Sequence, residues 1–215
     1  MGSMVSTDRL LAFAAMSFLL IVIPGPSVLF VVGRALSQGR RAALTTVVGN
    51  TLGAYALVVA VAFGVGAVVE RSVLVFTLLK VAGGAYLVYL GVRAWRERRS
   101  LQAVFAGDQA AHGGRRTFWE GFAVGVSNPK TIVFFAAVLP QFVDPAQGNV
   151  AVQMLVLGLV FTAIAIASDS VWGLAAVTAR NWFARSPQRL SIVGGIGGIT
   201  MIGLGVTVAA TGRKD

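Results

Sequence analysis

The chain has 215 residues, of which 56% are hydrophobic and 12% charged, and its mean hydropathy is +0.80. Soluble domains are about 45 to 50% apolar and about 25% charged, so this composition excludes an ordinary water-soluble protein. The formal net charge is +10, but most basic residues lie at the ends of apolar runs, which excludes a nucleic-acid-binding surface and indicates a membrane topology signal.

Six apolar runs of membrane length follow one another along the chain, in one membrane domain over residues 1–215. Residues 1–3, ahead of Met4, are typical of an expression scar and are set aside. A helix needs roughly 20 apolar residues to cross the membrane, and backbone amides in lipid must be bonded within their own segment. The sequence therefore predicts an all-α integral membrane protein with spans at 9–33, 43–69, 73–95, 118–141, 149–179 and 190–210.

The basic residues between the spans predict the orientation. Twelve arginines follow spans one, three and five: Arg34, Arg40, Arg41, Arg93, Arg96, Arg98, Arg99, Arg115, Arg116, Arg180, Arg185 and Arg189. The other side carries four basic residues: Arg9, Arg71, Arg213 and Lys214. Because cytoplasmic loops are enriched in Lys and Arg, we predict that both termini face away from the cytoplasm.

A long polar stretch divides the chain into two halves. Residues 97–117 are rich in Gly and Ala and form the predicted cytoplasmic loop, between repeat 1 at 4–96 and repeat 2 at 118–215. Each half holds three spans, and an odd number gives the two halves opposite topologies. A shift of 103 positions places Pro129 on Pro26, and the pattern is typical of transporters built from two inverted three-helix repeats.

Proline interrupts the helix at the same place in each half. The breaks read Ile23-Pro24-Gly25-Pro26-Ser27 in span one and Ser127-Asn128-Pro129-Lys130 in span four. Proline removes an amide donor and clashes with the preceding turn. Gly25 and Asn128 are suitable N-caps for a new helix, and the prolines after them suit its first position. The sequence therefore predicts broken helices 1 and 4, whose second halves begin near mid-membrane.

The N-termini of such half-helices suit an anionic ligand. They carry partial positive charge and free amides, which favour a carboxylate. A packing kink is the alternative interpretation, because proline is common in transmembrane helices. Two breaks at matched positions favour a substrate site.

Two charged residues lie deep within predicted spans. Lys130 lies near the centre of span four and Asp169 deep in span five, where an uncompensated charge costs about 3 kcal/mol or more. They either form a structural ion pair, or Lys130 faces a substrate carboxylate while Asp169 holds an ammonium or a coupling proton. Asn50, alone in a long charge-free run, either bonds another helix or lines the path.

Other polar and small residues have simpler interpretations. Lys80 is predicted to extend its side chain to the headgroups, and Glu120 is predicted to be an ordinary acid at a helix start. Glycines predicted to allow close helix packing, and with it a homodimer, are Gly64, Gly66, Gly83, Gly84, Gly194, Gly195, Gly197 and Gly198.

Metal, cofactor and catalytic chemistry have little support. The chain has no cysteine and one histidine, His112, in the polar loop. It also lacks a Walker loop, a nucleotide fingerprint and a catalytic triad. We therefore expect no metal, no cofactor and no enzymatic activity. A gradient-driven transporter, a passive channel and a structural subunit remain open.

These residues resemble a known family, the LysE/RhtB amino-acid exporters. In the first half the resemblance is carried by Pro24-Gly25-Pro26, Arg34, Gly39, Arg40, Lys80, Gly83, Ala85-Tyr86-Leu87 and Gly91. In the second half it is carried by the Phe118 to Gly121 stretch, Asn128-Pro129-Lys130, Leu139-Pro140-Gln141-Phe142 and Gly203-Leu204-Gly205. The resemblance covers nearly the whole chain in the expected order.

The resemblance implies proton-driven export of amino acids or their derivatives from the bacterial cytoplasm across the inner membrane, without ATP or a prosthetic group. It places the substrate site at Pro24, Gly25, Pro26, Asn128, Pro129 and Lys130. Ser27, Asn50 and Asp169 join that site from the residue patterns above. We expect alternating access, with a passive small-solute channel or an exporter of another small solute as the alternatives.

Overall fold

A computed structural model describes residues 5–64, 73–96 and 113–179, with single helical positions between 192 and 210. Within these ranges the regular elements are helical, and no strand occurs among them, which confirms the all-α prediction. The helices are α1 Thr7–Val22, α2 Pro26–Gln38, α3 Arg40–Gly64, α4 Val73–Arg96, α5 Gly114–Val126, α6 Pro129–Ala137 and α7 Val150–Thr178. Two 3₁₀ turns, Leu139–Phe142 and Pro145–Gln147, lead from α6 to α7.

The described helices fit a multi-pass membrane protein. On length and hydropathy, α3 and α7 can each cross a membrane alone. Two pairs of consecutive helices are long and apolar enough to cross a membrane only when each pair is taken as one bent helix. They are α1 with α2, bent by 52°, and α5 with α6 and its following turn, bent by 48°. The described residues thus supply two spans, or four if each bent pair is one span. Of the predicted sixth span at 190–210 only scattered positions are described, and these are helical. Most of the predicted 97–117 loop lies outside the described residues, although α5 already begins at Gly114.

The two bent helix pairs, α1 with α2 and α5 with α6, break at the predicted prolines. α1 ends at Val22, and Ile23 is extended because proline at the next position disfavours the helical conformation. Gly25 is the N-cap of α2, whose first residue is Pro26. The second break uses a stronger cap, because the Asn128 side chain accepts a hydrogen bond from the first turn of α6.

Among the described helices, α3 and α5 approach each other closely through four glycines. Gly49 and Gly53 on α3 face Gly121 and Gly125 on α5, with four-residue spacing on both helices. A Cβ at Gly121 would lie 2.6 Å from the Thr46 carbonyl oxygen, and a Cβ at any of the other three would come closer still to a facing carbonyl oxygen. Facing residue numbers rise together, so the helices are parallel. This is the reciprocal small-residue contact that lets membrane helices approach closely.

The glycines predicted to mediate close packing are different ones. Gly64, at the end of α3, would meet nothing within 4 Å if it carried a Cβ. Gly83 and Gly84 lie in α4, but the structure does not describe what surrounds them. The side chain of Lys80, also in α4, lies outside the described part as well. Gly66, Gly194, Gly197 and Gly198 lie outside the described residues altogether. Gly64 therefore makes no close contact with the described residues.

α7 runs antiparallel to α3 and closes the bundle. Gly158 of α7 faces Val58, and Gly173 faces Ala43 and Val31, so residue numbers fall on one helix as they rise on the other. Beside this contact lies a buried aromatic cluster, made by Phe13, Phe134, Phe135 and Phe161. The Phe135 and Phe161 rings meet edge to face with centroids 4.7 Å apart, a geometry that adds about 0.5 to 1.5 kcal/mol beyond area burial. The cluster ties α1, α6 and α7 together.

Candidate functional site

The two helix breaks touch each other in the interior of the bundle. The Asn128 side-chain amide donates a hydrogen bond to Ser27 Oγ at 3.0 Å, and both residues are buried. The Asn128 Oδ1 atom accepts from the Lys130 backbone amide at 3.2 Å, which caps α6. One asparagine therefore caps its own half-helix and fixes it to the start of α2. This contact brings the N-termini of α2 and α6 to one place.

Lys130 reaches from the second break to the first. Its Nζ donates to the Ile23 carbonyl oxygen at 2.8 Å, and the residue is only 5% exposed. That carbonyl lies outside the helical ladder because α1 has ended at Val22. Gly25 makes room for the lysine, since a Cβ there would lie 3.3 Å from Lys130 Cδ and 3.5 Å from Nζ. The lysine thus serves as a cap for the open end of α1.

Asp169 is held from the other side by Asn50. The Asn50 amide donates to Asp169 Oδ2 at 3.1 Å, across α3 and α7, and both residues are buried. The Asn50 Oδ1 atom is buried too and has no hydrogen-bond partner. Asn50 thus bonds another helix, as one interpretation predicted, and it also lines the cavity described next. Its place on a transport path stays a prediction.

These side chains surround a small cavity of about 30 Å³ between the half-helices, α3 and α7. Its polar lining consists of Ser27, Asn50, Thr51, Asn128, Lys130, Thr131 and Asp169. Its apolar lining consists of Leu20, Ile21, Val28, Ala54, Phe161 and Ala165. A cavity this size holds one or two waters. A larger ligand therefore requires the surrounding helices to separate.

The structure brings together five of the nine predicted site residues at this cavity: Ser27, Asn50, Asn128, Lys130 and Asp169. The other four, Pro24, Gly25, Pro26 and Pro129, are not among its lining and instead build the two breaks beside it. Lys130 and Asp169 face the same cavity, and the hydrogen bonds they form go to Ile23 and Asn50 rather than to each other. A direct structural ion pair, one of the two alternatives, is therefore absent between these two described residues.

The cavity is lined by one basic and one acidic side chain, Lys130 and Asp169. Lys130 brings an ammonium group with three N–H donors, one of them engaged with Ile23, and Asp169 brings a carboxylate. The start of α2 adds helix-end amides, and Asn50 adds an acceptor without a partner. A small ligand with one negative and one positive group would neutralise both buried charges at once, which lowers the cost of placing them in the membrane.

An ion pair that the sequence predictions missed joins α2, in the first bent helix pair, to α5, in the second. Arg34 of α2, predicted only as an orientation signal, is 4% exposed and bonded to Glu120 of α5. Glu120, predicted as an ordinary helix-start acid, also accepts from Arg116 Nε at 2.8 Å. A second ion pair joins Arg9, at the start of α1, to Asp144 beyond α6 at 3.2 Å. Arg34 follows Ser27 by seven residues, which places both on one face of α2. This spacing was the signal from which the burial of Arg34 could have been predicted.

Comparison with known proteins connects this geometry to a family. Residues 18–212 match the family model described as LysE type translocator. An uncharacterised membrane protein of Vibrio cholerae is 32% identical over 93% of this chain and 95% of its own length. The homoserine/homoserine lactone efflux protein of Salmonella typhimurium is 32% identical, covering 89% of this chain and 91% of its own. The threonine efflux protein of Escherichia coli is 31% identical over 66% of this chain and 69% of its own.

No solved structure matches the chain. The family model nevertheless covers most of it, including both helix breaks, Lys130 and Asp169. Members of this family are transporters and not enzymes, and the relatives named above are bacterial membrane or efflux proteins. The match and the broken-helix site lead to the same assignment: the chain belongs to the LysE family of translocators.

Proposed function

We propose that this protein is a secondary active exporter of amino acids or amino-acid derivatives. The observation that carries the proposal is the buried cavity between two half-helix N-termini, where Lys130 and Asp169 face the same space without pairing. The relatives named as homoserine/homoserine lactone and threonine efflux proteins support a small amino acid or amino-acid derivative as the substrate. Homoserine and threonine have the zwitterionic backbone that this pair of charges suits.

In the proposed complex, the substrate carboxylate binds Lys130 and the first-turn amides of α2. Helix N-termini favour carboxylates, and a charge-assisted hydrogen bond from an ammonium group is about twice as strong as a neutral one. The substrate ammonium binds Asp169 and the unpartnered Asn50 Oδ1. Substrate then replaces the Ile23 carbonyl as the partner of Lys130, which releases the end of α1. Binding and movement of the first broken helix are coupled by that exchange.

The small size of the cavity supports transport by alternating access. About 30 Å³ is too small for an amino acid, so the helices around the cavity have to move for substrate to enter or leave. A passive channel would need a continuous path instead. We propose that two inverted three-helix repeats, at 4–96 and 118–215, rock around the paired breaks. The similar bends of 52° and 48° at the two breaks support this arrangement.

The proposed orientation places both termini outside the cytoplasm, as the arginine distribution favours. The ends of α2 and α4 and the start of α5, which carry Arg34, Arg93 and Arg116, then lie on the cytoplasmic side. We propose that proton exchange at Asp169 couples efflux to the pH gradient, because a buried carboxylate is the group that proton-driven carriers use within the membrane. The predicted homodimer stays a prediction.

The test is efflux of a panel of labelled amino acids from proteoliposomes, with and without an imposed pH gradient. The exporter predicts saturable efflux of one amino-acid class, faster with the gradient, and counterflow against unlabelled substrate. Flux that rises linearly with concentration and shows no counterflow would favour the channel. Absence of flux for every amino acid, with protein correctly inserted, would contradict the proposed substrate class.

A further inference from the structure

Arg34 holds two buried guanidinium donors that no group in the described structure satisfies. Its NH2 group donates to Glu120, whereas its Nε and NH1 atoms are buried and without hydrogen-bond partners. The residue itself is 4% exposed. A buried donor without a partner is destabilising, and more so when it is charged. Two such donors on one side chain indicate a place where a ligand acceptor completes the site.

The charge around Arg34 favours an anion. Arg34 and Arg116 together bring two positive charges to Glu120, whose carboxylate brings one negative charge. The Arg34 guanidinium carbon lies over the Phe30 ring, 5.1 Å from the ring centroid. The open Nε and NH1 donors point outward in the guanidinium plane, the direction from which a carboxylate accepts. Because only NH2 bonds Glu120, an incoming carboxylate can accept from Nε or from NH1 while Glu120 keeps its bonds to Arg34 and Arg116.

Arg34 lies between the C-terminal end of α2 and the cavity. Ser27, which lines the cavity, precedes it by seven residues, so the two share a face of α2 and are about 10.5 Å apart along the axis. In the orientation proposed above, this end of α2 faces the cytoplasm. A carboxylate leaving the cytoplasm would thus meet the Arg34 guanidinium before the Lys130 ammonium.

We propose that Arg34 is a second carboxylate-binding residue, which receives the carboxylate of the amino-acid substrate at the cytoplasmic entrance before it passes to Lys130. This inference rests on the proposed export function. It assigns to the arginine a binding role in addition to its ion pair with Glu120. The ligand class is an amino-acid zwitterion, recognised here by its carboxylate alone.

The test compares three variants that each remove one charge of the Arg34 cluster: Arg34→Gln, Glu120→Gln and Arg116→Gln. The readout is the half-saturation concentration for labelled L-homoserine offered at the cytoplasmic face of full-length protein in proteoliposomes. Loss of a hydrogen bond to a charged group predicts a roughly tenfold higher half-saturation concentration for Arg34→Gln. Glu120→Gln keeps an amide oxygen that can accept from Arg34 NH2, and Arg116 is largely exposed, so both variants should stay within about twofold of the wild type.

Equal effects of Arg34→Gln and Glu120→Gln would overturn the inference, since a purely structural ion pair suffers alike from loss of either partner. If Arg34→Gln does not insert, Arg34→Lys keeps the charge but loses the planar fork, and it should still raise the half-saturation concentration. An unchanged value in that variant would also overturn the inference. Absence of saturable homoserine efflux in the wild type would instead contradict the proposed function for this substrate, together with the inference built on it.

Discussion

The Lys130 Nζ atom lies 2.8 Å from the Ile23 carbonyl oxygen, so the cation of the second helix break closes the open end of the first. The contact spans 107 positions of sequence and joins the two halves of the chain at the wall of the buried cavity. A carboxylate that competes for Lys130 would release this link. Substrate binding and rearrangement of the broken helices thereby depend on the same atom.

Crowding Lys130 without removing it should reduce transport. In Gly25→Ala, the new Cβ would lie 3.3 Å from Lys130 Cδ, closer than most real Cβ contacts, so the lysine has to shift from its place beside Ile23. We expect efflux to fall about tenfold, which corresponds to about 1.4 kcal/mol. Initial efflux rates in proteoliposomes measure it. The matched control is Gly33→Ala on α2, where a Cβ meets nothing within 4 Å. Equal rates in the two variants would contradict the prediction.

The α3–α5 glycine contact should be required for a stable bundle. A Cβ at Gly125 would overlap the Asn50 backbone, so Gly125→Ala has to push α5 away from α3. Overpacking of a tight contact costs about 1 to 3 kcal/mol or more. We expect a clearly lower unfolding temperature in detergent. Gly64→Ala, in open space at the end of α3, is the control and should unfold at the wild-type temperature. A wild-type melting curve for Gly125→Ala would show that the helices are not packed this closely.

Asp169→Asn should abolish the coupling of efflux to the pH gradient but retain the exchange of labelled for unlabelled substrate. The asparagine oxygen can still accept the hydrogen bond from Asn50, so the contact between α3 and α7 is retained while the titratable carboxylate is lost. If Asp169 carries the coupling proton, efflux should lose its response to a pH gradient, whereas counterflow of labelled against unlabelled substrate persists at a reduced rate. Both are measured in the same proteoliposomes. Efflux that still accelerates with the gradient would place the coupling proton elsewhere.

The Asn128–Ser27 hydrogen bond should stabilise the contact between the two breaks. Asn128→Ala removes both this bond and the α6 cap, and loss of an N-cap costs about 0.5 to 2 kcal/mol. Ser27→Ala removes only the acceptor and should cost less. A double-mutant cycle on unfolding free energies should give a coupling of about 1 kcal/mol between the two side chains. A coupling of zero would mean that the bond does not contribute to stability.

The helix breaks were predictable because their causes are local. Proline fixes where a helix stops and restarts, and Asn128 ahead of Pro129 is a cap that can be read from two neighbouring residues. Lys130 and Asp169 were equally visible, since a charge inside an apolar run is unusual wherever the helix lies. Their partners were not visible. The Ile23 carbonyl and the Asn50 amide are more than 100 positions away from them and depend on how the helices pack.

Two features carried a signal that other patterns obscured. Gly49 and Gly53, and likewise Gly121 and Gly125, have the four-residue spacing that is typical of close helix contacts. The prediction of close packing was instead placed on denser glycine runs elsewhere in the chain. Arg34 followed the positive-inside pattern so well that its burial was not anticipated. Its partner Glu120 lies 86 positions away, and only the packed bundle brings the two together.

The central claim is that the Lys130 ammonium binds the substrate carboxylate, and saturable amino-acid efflux by Lys130→Met in proteoliposomes tests it most directly. Arg115→Met is the matched control, because it removes one positive charge from an exposed position at the start of α5. We predict that Lys130→Met inserts at the wild-type level but shows no saturable efflux, whereas Arg115→Met transports like the wild type. Saturable efflux by Lys130→Met with an unchanged half-saturation concentration would contradict the claim.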